Sequence, residues 1–111
     1  MNSAEHYKGS VLKLLVGDIG GTNARFGYQK NKGANIEQVE FLNCADFDNI
    51  DHAVTHYISK NSLSVENLSL SVAGPCRNNF IKFTNNHWSF DKKELLNKTN
   101  CNSILAINDF A

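Results

Sequence analysis

Two short stretches near opposite ends of the chain carry residue types that can do chemistry. The first is Gly17-Asp18-Ile19-Gly20-Gly21-Thr22-Asn23, where a carboxylate, two adjacent glycines, a hydroxyl and an amide follow an apolar run. Glycines let backbone N–H groups approach an anion with no Cβ in the way. Thr22 and Asn23 add side-chain donors, and Asp18 can hold a hydrated Mg2+ that neutralises phosphate charge. A nucleotide phosphate suits such a turn. The second stretch is Asn108-Asp109, which follows the apolar run Ile104-Leu105-Ala106-Ile107. There Asp109 can take the proton of a substrate hydroxyl while the Asn108 amide orients a neighbouring hydroxyl. Both stretches also have plainer readings. Gly20-Gly21 can be a hairpin turn capped by Asp18, and Asn108-Asp109 can cap a helix.

The elements that must position these residues follow from periodicity. Val11 to Val16, with Lys13 its only charge, reads as a strand. The paired glycines then supply the positive φ angles of a hairpin turn. Asn23 to Gln29 alternates, with Ala24, Phe26 and Tyr28 on one face and Arg25, Gly27 and Gln29 on the other. Asn31-Lys32-Gly33 turns the chain into a third strand carrying Ile36, Val39, Phe41 and Leu42. The period then changes, for Phe47, Ile50, Val54, Tyr57 and Ile58 make the stripe of an amphipathic helix, capped by Asp46 or Asp48. Asn67 to Ala73 alternates again and stops at Gly74-Pro75. Asn79 to Phe83 reads as a short strand or hairpin arm, with Thr84-Asn85-Asn86-His87 as its loop. Ser89 or Asp91 caps a second helix, Lys92 to Lys98, with Leu95 and Leu96 inward. Ile104 to Ile107 is read as a buried strand.

The expected fold class is therefore α/β: a mixed sheet in the order β-β-β-α-β-α-β, an antiparallel meander followed by parallel crossover strands. In open sheets with helices on both faces, ligands gather beyond the strand ends, so Asp18 and Asp109 are expected to face one cleft.

Composition removes several classes of function. Lys and Arg together number 11 against 11 Asp and Glu, and no basic run exceeds Lys92-Lys93, so nucleic acid is not an expected partner. No apolar stretch approaches the roughly 20 residues of a membrane helix. Residues 1–10 read as a flexible polar leader without the apolar centre of a signal peptide, which implies a cytoplasmic protein. Cys44, Cys76 and Cys101 are widely spaced and fit neither a disulfide framework nor a zinc site. His52 and His56 lie one helical turn apart with no H-E-x-x-H arrangement, and read as a solvated face. Gly17, Gly20 and Gly21 are wrongly spaced for a dinucleotide fingerprint and lead into a strand, and there is no G-K-[ST] phosphate loop.

Taken together, Leu15 to Arg25, Ala73-Gly74-Pro75, Thr84-Asn85 with Trp88-Ser89-Phe90, and Ile107-Asn108-Asp109-Phe110-Ala111 resemble the N-terminal lobe of bacterial glucokinases. The resemblance runs from about residue 11 to Ala111. It implies the actin-like, ribonuclease-H-like fold of sugar kinases, with residues 11–111 as the small lobe and no C-terminal lobe. It also implies ATP-dependent phosphorylation of glucose at the 6-hydroxyl, with ATP and Mg2+ as cofactors. Carried over by position, Gly17, Asp18, Gly20, Gly21, Thr22 and Asn23 face ATP, with Asp18 reaching the metal through water. Asn108 hydrogen-bonds glucose and Asp109 is the catalytic base. Asn85 borders the sugar cleft, or is simply a turn asparagine beside a core tryptophan.

Cys76-Arg77-Asn78-Asn79 departs from the pattern, since a shorter apolar and acidic turn is implied there. Without the opposing lobe the 111 residues are expected to be nearly inactive, with an exposed cleft face open to self-association. The alternative is a non-catalytic sugar- or nucleotide-binding module of the same fold.

Overall fold

Alternation decides which face of each strand is covered. The structure is a computed structural model and describes residues 10–108. In β1 (Val11–Ile19), Leu15, Gly17 and Ile19 are buried, whereas Val16 is half-buried and Asp18 exposed. β2 (Asn23–Asn31) buries Ala24, Phe26 and Tyr28 as its alternation predicts. β3 (Glu37–Asn43) completes the meander, but only Leu42 in it is buried. A single 3-10 turn, Cys44–Asp46, then leads towards helix α1 (Ile50–Lys60). The helix begins later than the apolar stripe suggests. Its N-cap is Asn49, whose side chain accepts from the Ile50 N–H, so neither Asp46 nor Asp48 has that role.

The crossover through α1 delivers β4 (Asn67–Val72) parallel to β1, with Leu68, Leu70 and Val72 buried. Three short strands follow, β5 (Cys76–Arg77), β6 (Phe80–Lys82) and β7 (Ser89–Asp91), and they form a separate antiparallel sheet. Only the β6 arm is legible in the sequence, so the expected order β-β-β-α-β-α-β lacks this small sheet. Two- and three-residue strands are too short to show a period. Asp91, not Ser89, caps α2 (Lys92–Thr99), accepting from the Glu94 N–H. The chain then enters β8 (Ser103–Asn108), parallel to β4.

The main sheet has the order β3-β2-β1-β4-β8. One face carries the core, where α1 packs through Ile50, Ala53, Val54 and Tyr57, and α2 through Leu95. Among the described residues the other face is open, without a helix on it. Register aligns two rows across it: Phe41, Arg25, Asp18, Ser71, Ile107, and beside them Val16, Ser69, Leu105. β8 is consequently not a buried strand. It lies at the sheet's edge with Leu105 58% and Ile107 51% exposed.

Tyr57 links helix and meander. Its ring is fully buried against Phe26, and its hydroxyl donates to the Gln38 carbonyl at 2.8 Å. Gln38 has a left-handed φ of 55° where the β2–β3 register shifts between Phe26 and Tyr28. Burial, with the Glu40 charge and Tyr28 adding to it, pushes the Tyr57 phenol up to about 12 from its ordinary 10.0. The folded state thus holds this proton more tightly than the unfolded chain. Its contribution to stability is complete below pH 10 and is lost as the pH climbs through about 12. Urea midpoints should fall over that window. Tyr57→Phe should lower stability at neutral pH by about 1 kcal/mol and make the alkaline fall shallower. An unchanged alkaline slope in the variant would assign the effect to other groups.

Candidate functional site

The parallel strands bring the sequence's two chemical stretches to one edge. Ile19 pairs with Val72 and Val72 with Asn108, so β1, β4 and β8 end level. At the usual spacing of about 4.8 Å per strand, Asn108 lies roughly 10 Å across the sheet from Ile19. The Gly20–Thr22 turn leaves that same edge, the position where open α/β sheets gather ligands. Asp109 lies outside the described residues.

The glycine turn is built differently from the hairpin that its sequence suggests. Gly33 is the glycine with a positive φ among the described residues, so Gly20 and Gly21 do not use the conformational freedom expected of them. Their need is for space. A Cβ on Gly21 would lie 3.0 Å from the Asn85 Cβ and 3.1 Å from its carbonyl oxygen, and one on Gly20 3.2 Å from the Asn23 carbonyl oxygen. The turn closes through the Gly20 N–H, which donates to the Asn23 carbonyl at 2.9 Å.

Both of the turn's outer carbonyls are taken up by the protein. Gly20 O accepts from Asn86 Nδ2 at 3.0 Å and from the Cys44 thiol at 3.8 Å, and Thr22 O accepts from the Cys44 N–H at 2.8 Å. Burial pushes the Cys44 thiol above its ordinary pKa, which keeps it protonated and able to donate. Among the described residues, the N–H groups of Gly21 and Thr22 meet no protein acceptor.

Asp18 and Arg25 are cross-strand partners beside this turn, on the open face. Their charged groups are 3.7 Å apart and about half exposed, a spacing that leaves both available to a ligand. A small hollow of about 190 Å3 lies between Asp18, Gly20, Asn23, Arg25 and Phe41. A larger depression of about 510 Å3 continues along the open face past Val16, Ser69, Ser71 and Ile107. The smaller hollow touches the turn, and the larger one follows the uncovered sheet. No cluster of three or more His, Cys, Asp or Glu suited to a metal occurs among the described residues.

Of the residues singled out in the sequence, Asp18, Gly20, Gly21, Thr22 and Asn23 stand together. Asn108 ends β8 on the same edge, exposed. Gly17 is set back in the core, where a Cβ would lie 2.8 Å from Leu70 Cδ2 and 3.0 Å from the Phe26 ring. Asn85 is exposed and its backbone rests on Gly21. Gly74 faces the small sheet, since a Cβ there would run into the Lys82 carbonyl oxygen. Sequence reasoning did not single out Arg25 or Asn86. The alternation of β2 already put Arg25 on the face opposite Phe26, and that was the available signal. Nothing local ties Asn86 to Gly20, 66 positions away.

A family model described as Glucokinase matches residues 15–111. The chain is 41% identical over 109 residues to the glucokinase of Marinobacter nauticus, covering 97% of this chain and 32% of that protein. It is 43% identical over 107 residues to the glucokinase of Helicobacter pylori strain J99, covering 93% of this chain and 32% of that protein. Among solved structures, a glucokinase from an Antarctic psychrotroph superposes with a TM-score of 0.79 at 34% identity, over 87% of this chain and 32% of the other. The chain thus spans about a third of the length of these relatives. With the model matching all but its first 14 residues, the chain belongs to the glucokinase family.

Proposed function

We propose that residues 11–111 form the N-terminal lobe of a kinase that moves the γ-phosphate of ATP to the 6-hydroxyl of glucose, on the actin-like, ribonuclease-H-like fold. The observation that carries this reading is the glycine turn. The Gly20 and Thr22 carbonyls are engaged by the protein, and among the described residues the N–H groups of Gly21 and Thr22 meet no acceptor, which suits a phosphate oxygen. Family membership gives that anion an identity, since the relatives are named glucokinases.

In this reading Gly20, Gly21, Thr22 and Asn23 hold ATP phosphates, and Gly17 lets β1 sit close to the core behind them. Asn108 orients the sugar. Asp109, next in sequence, takes the 6-hydroxyl proton as that oxygen attacks phosphorus. Asn85 borders the sugar side of the turn. Phosphoryl transfer depends mainly on positioning and charge compensation, and the turn and Arg25 can supply both for the phosphates. Mg2+ fits beside Asp18, because one half-exposed carboxylate leaves room for the waters that Mg2+ retains. Bound there, the ion offsets phosphate charge. The relatives are about three times as long, so both substrates are proposed for a protein of that length.

Two measurements test this. In a full-length kinase carrying this lobe, Asp109→Asn should reduce turnover by about 10²- to 10⁴-fold with glucose binding retained. Unchanged turnover would refute Asp109 as the catalytic base. Assayed alone with ATP, Mg2+ and glucose, residues 1–111 should form glucose-6-phosphate only at background rate, and near-normal production would overturn the lobe assignment.

A further inference from the structure

Asn86 joins the glycine turn to the core through the two ends of one amide. Its Nδ2 donates to the Gly20 carbonyl at 3.0 Å, and its Oδ1 accepts from the Trp88 N–H at 2.7 Å. The amide cannot be reversed, because a carbonyl only accepts and an N–H only donates. The Trp88 end is fixed. Its side chain is fully buried, its indole N–H donates to the Phe47 carbonyl at 3.1 Å, and His87 Nε2 meets the same carbonyl at 2.8 Å. Thr84 anchors the loop's other end through two contacts with the Ala73 carbonyl, from its N–H at 3.2 Å and its hydroxyl at 3.1 Å. The loop is therefore held at both ends before it reaches the turn.

The Gly20 carbonyl and the Gly21 N–H belong to one planar trans peptide, in which they point in opposite directions. A donor that pulls the carbonyl towards the loop therefore aims the Gly21 N–H away from it. The close approach of Asn85 to Gly21 leaves little room for that peptide to rotate back.

We propose that Asn86 is a positioning residue for anion binding: by holding the Gly20 carbonyl it presents the Gly21 N–H to a phosphate oxygen. This rests on the reading of the turn as a phosphate site. Asn86 touches no ligand in this role. It acts through the peptide that it orients.

The two ends of the amide can be separated. In Asn86→Ser the hydroxyl keeps the local bond to the N–H two residues on, at Trp88, but is too short to reach Gly20, and no charge is added. Asn86→Ala loses both. The test is a titration of the 15N-labelled 111-residue chain with inorganic triphosphate and Mg2+, following the backbone amides of Gly21 and Thr22 and the Trp88 indole N–H by NMR. In the native chain the Gly21 and Thr22 signals should shift saturably. In both variants the affinity should fall by about five-fold, the equivalent of one neutral hydrogen bond, while in Asn86→Ser the Trp88 indole signal stays in place. Native affinity in Asn86→Ser overturns the positioning role and leaves the phosphate site standing. A displaced Trp88 signal in Asn86→Ser overturns it too, by assigning Asn86 to folding of the loop. If the native chain itself shows no shifts, the phosphate reading fails and the proposal with it.

Discussion

Three parallel strands stopping level is the constraint on which the rest of this fold depends. The register of β1, β4 and β8 is held by a buried face on which Leu15, Gly17 and Ile19 align with Leu68, Leu70 and Val72. Side chains alternate with a period of two, so the interior accepts only one phase of each strand. Once that phase is set, the exits of β1 and β8 are fixed on a common edge two strand spacings apart. Gly17 tightens the arrangement, since Leu70 and Phe26 occupy the space a side chain would need.

The small sheet acts as a brace between that edge and helix α1. Asn49 illustrates the economy of the joint. Its Oδ1 accepts from the Ile50 N–H to cap α1 and from the Ser89 N–H to dock β7. The Phe47 carbonyl likewise receives both His87 and Trp88. A hairpin of two- and three-residue strands is marginal by itself. Here Ile81, Phe83, Trp88 and Phe90 join the same core as the main sheet, so the brace is as firm as what it supports.

Much of the fold was legible because long periodic segments declare themselves. β2, β4 and both helices follow directly from alternation or a helical stripe, and Asp91 was one of two caps that residue type offered for α2. What was missed had other physical causes. β5 and β7 are too short for a period, and Asn49 outcompeted two neighbouring aspartates for the cap through tertiary placement. The apolar run Ile104 to Ile107 of β8 reads as a buried strand, yet Leu105 and Ile107 face the uncovered side of the sheet, which no local pattern encodes. In the glycine turn, Gly20-Gly21 reads as a hairpin needing positive φ angles, yet no positive φ is involved: the glycines are small because Asn85 and the Asn23 carbonyl are close. The contact from Asn86 spans most of the chain and could be seen only in three dimensions.

The outward phase of Asp18 has a consequence for folding. A shift of β1 by one residue against its neighbours would turn the carboxylate into the core and bring Leu15 out to water. Burying an unpaired carboxylate is far costlier than exposing one leucine, so the mispaired sheet is disfavoured as soon as the core closes over that face. The carboxylate proposed above for the ligand also guards the alignment of the strand that carries it.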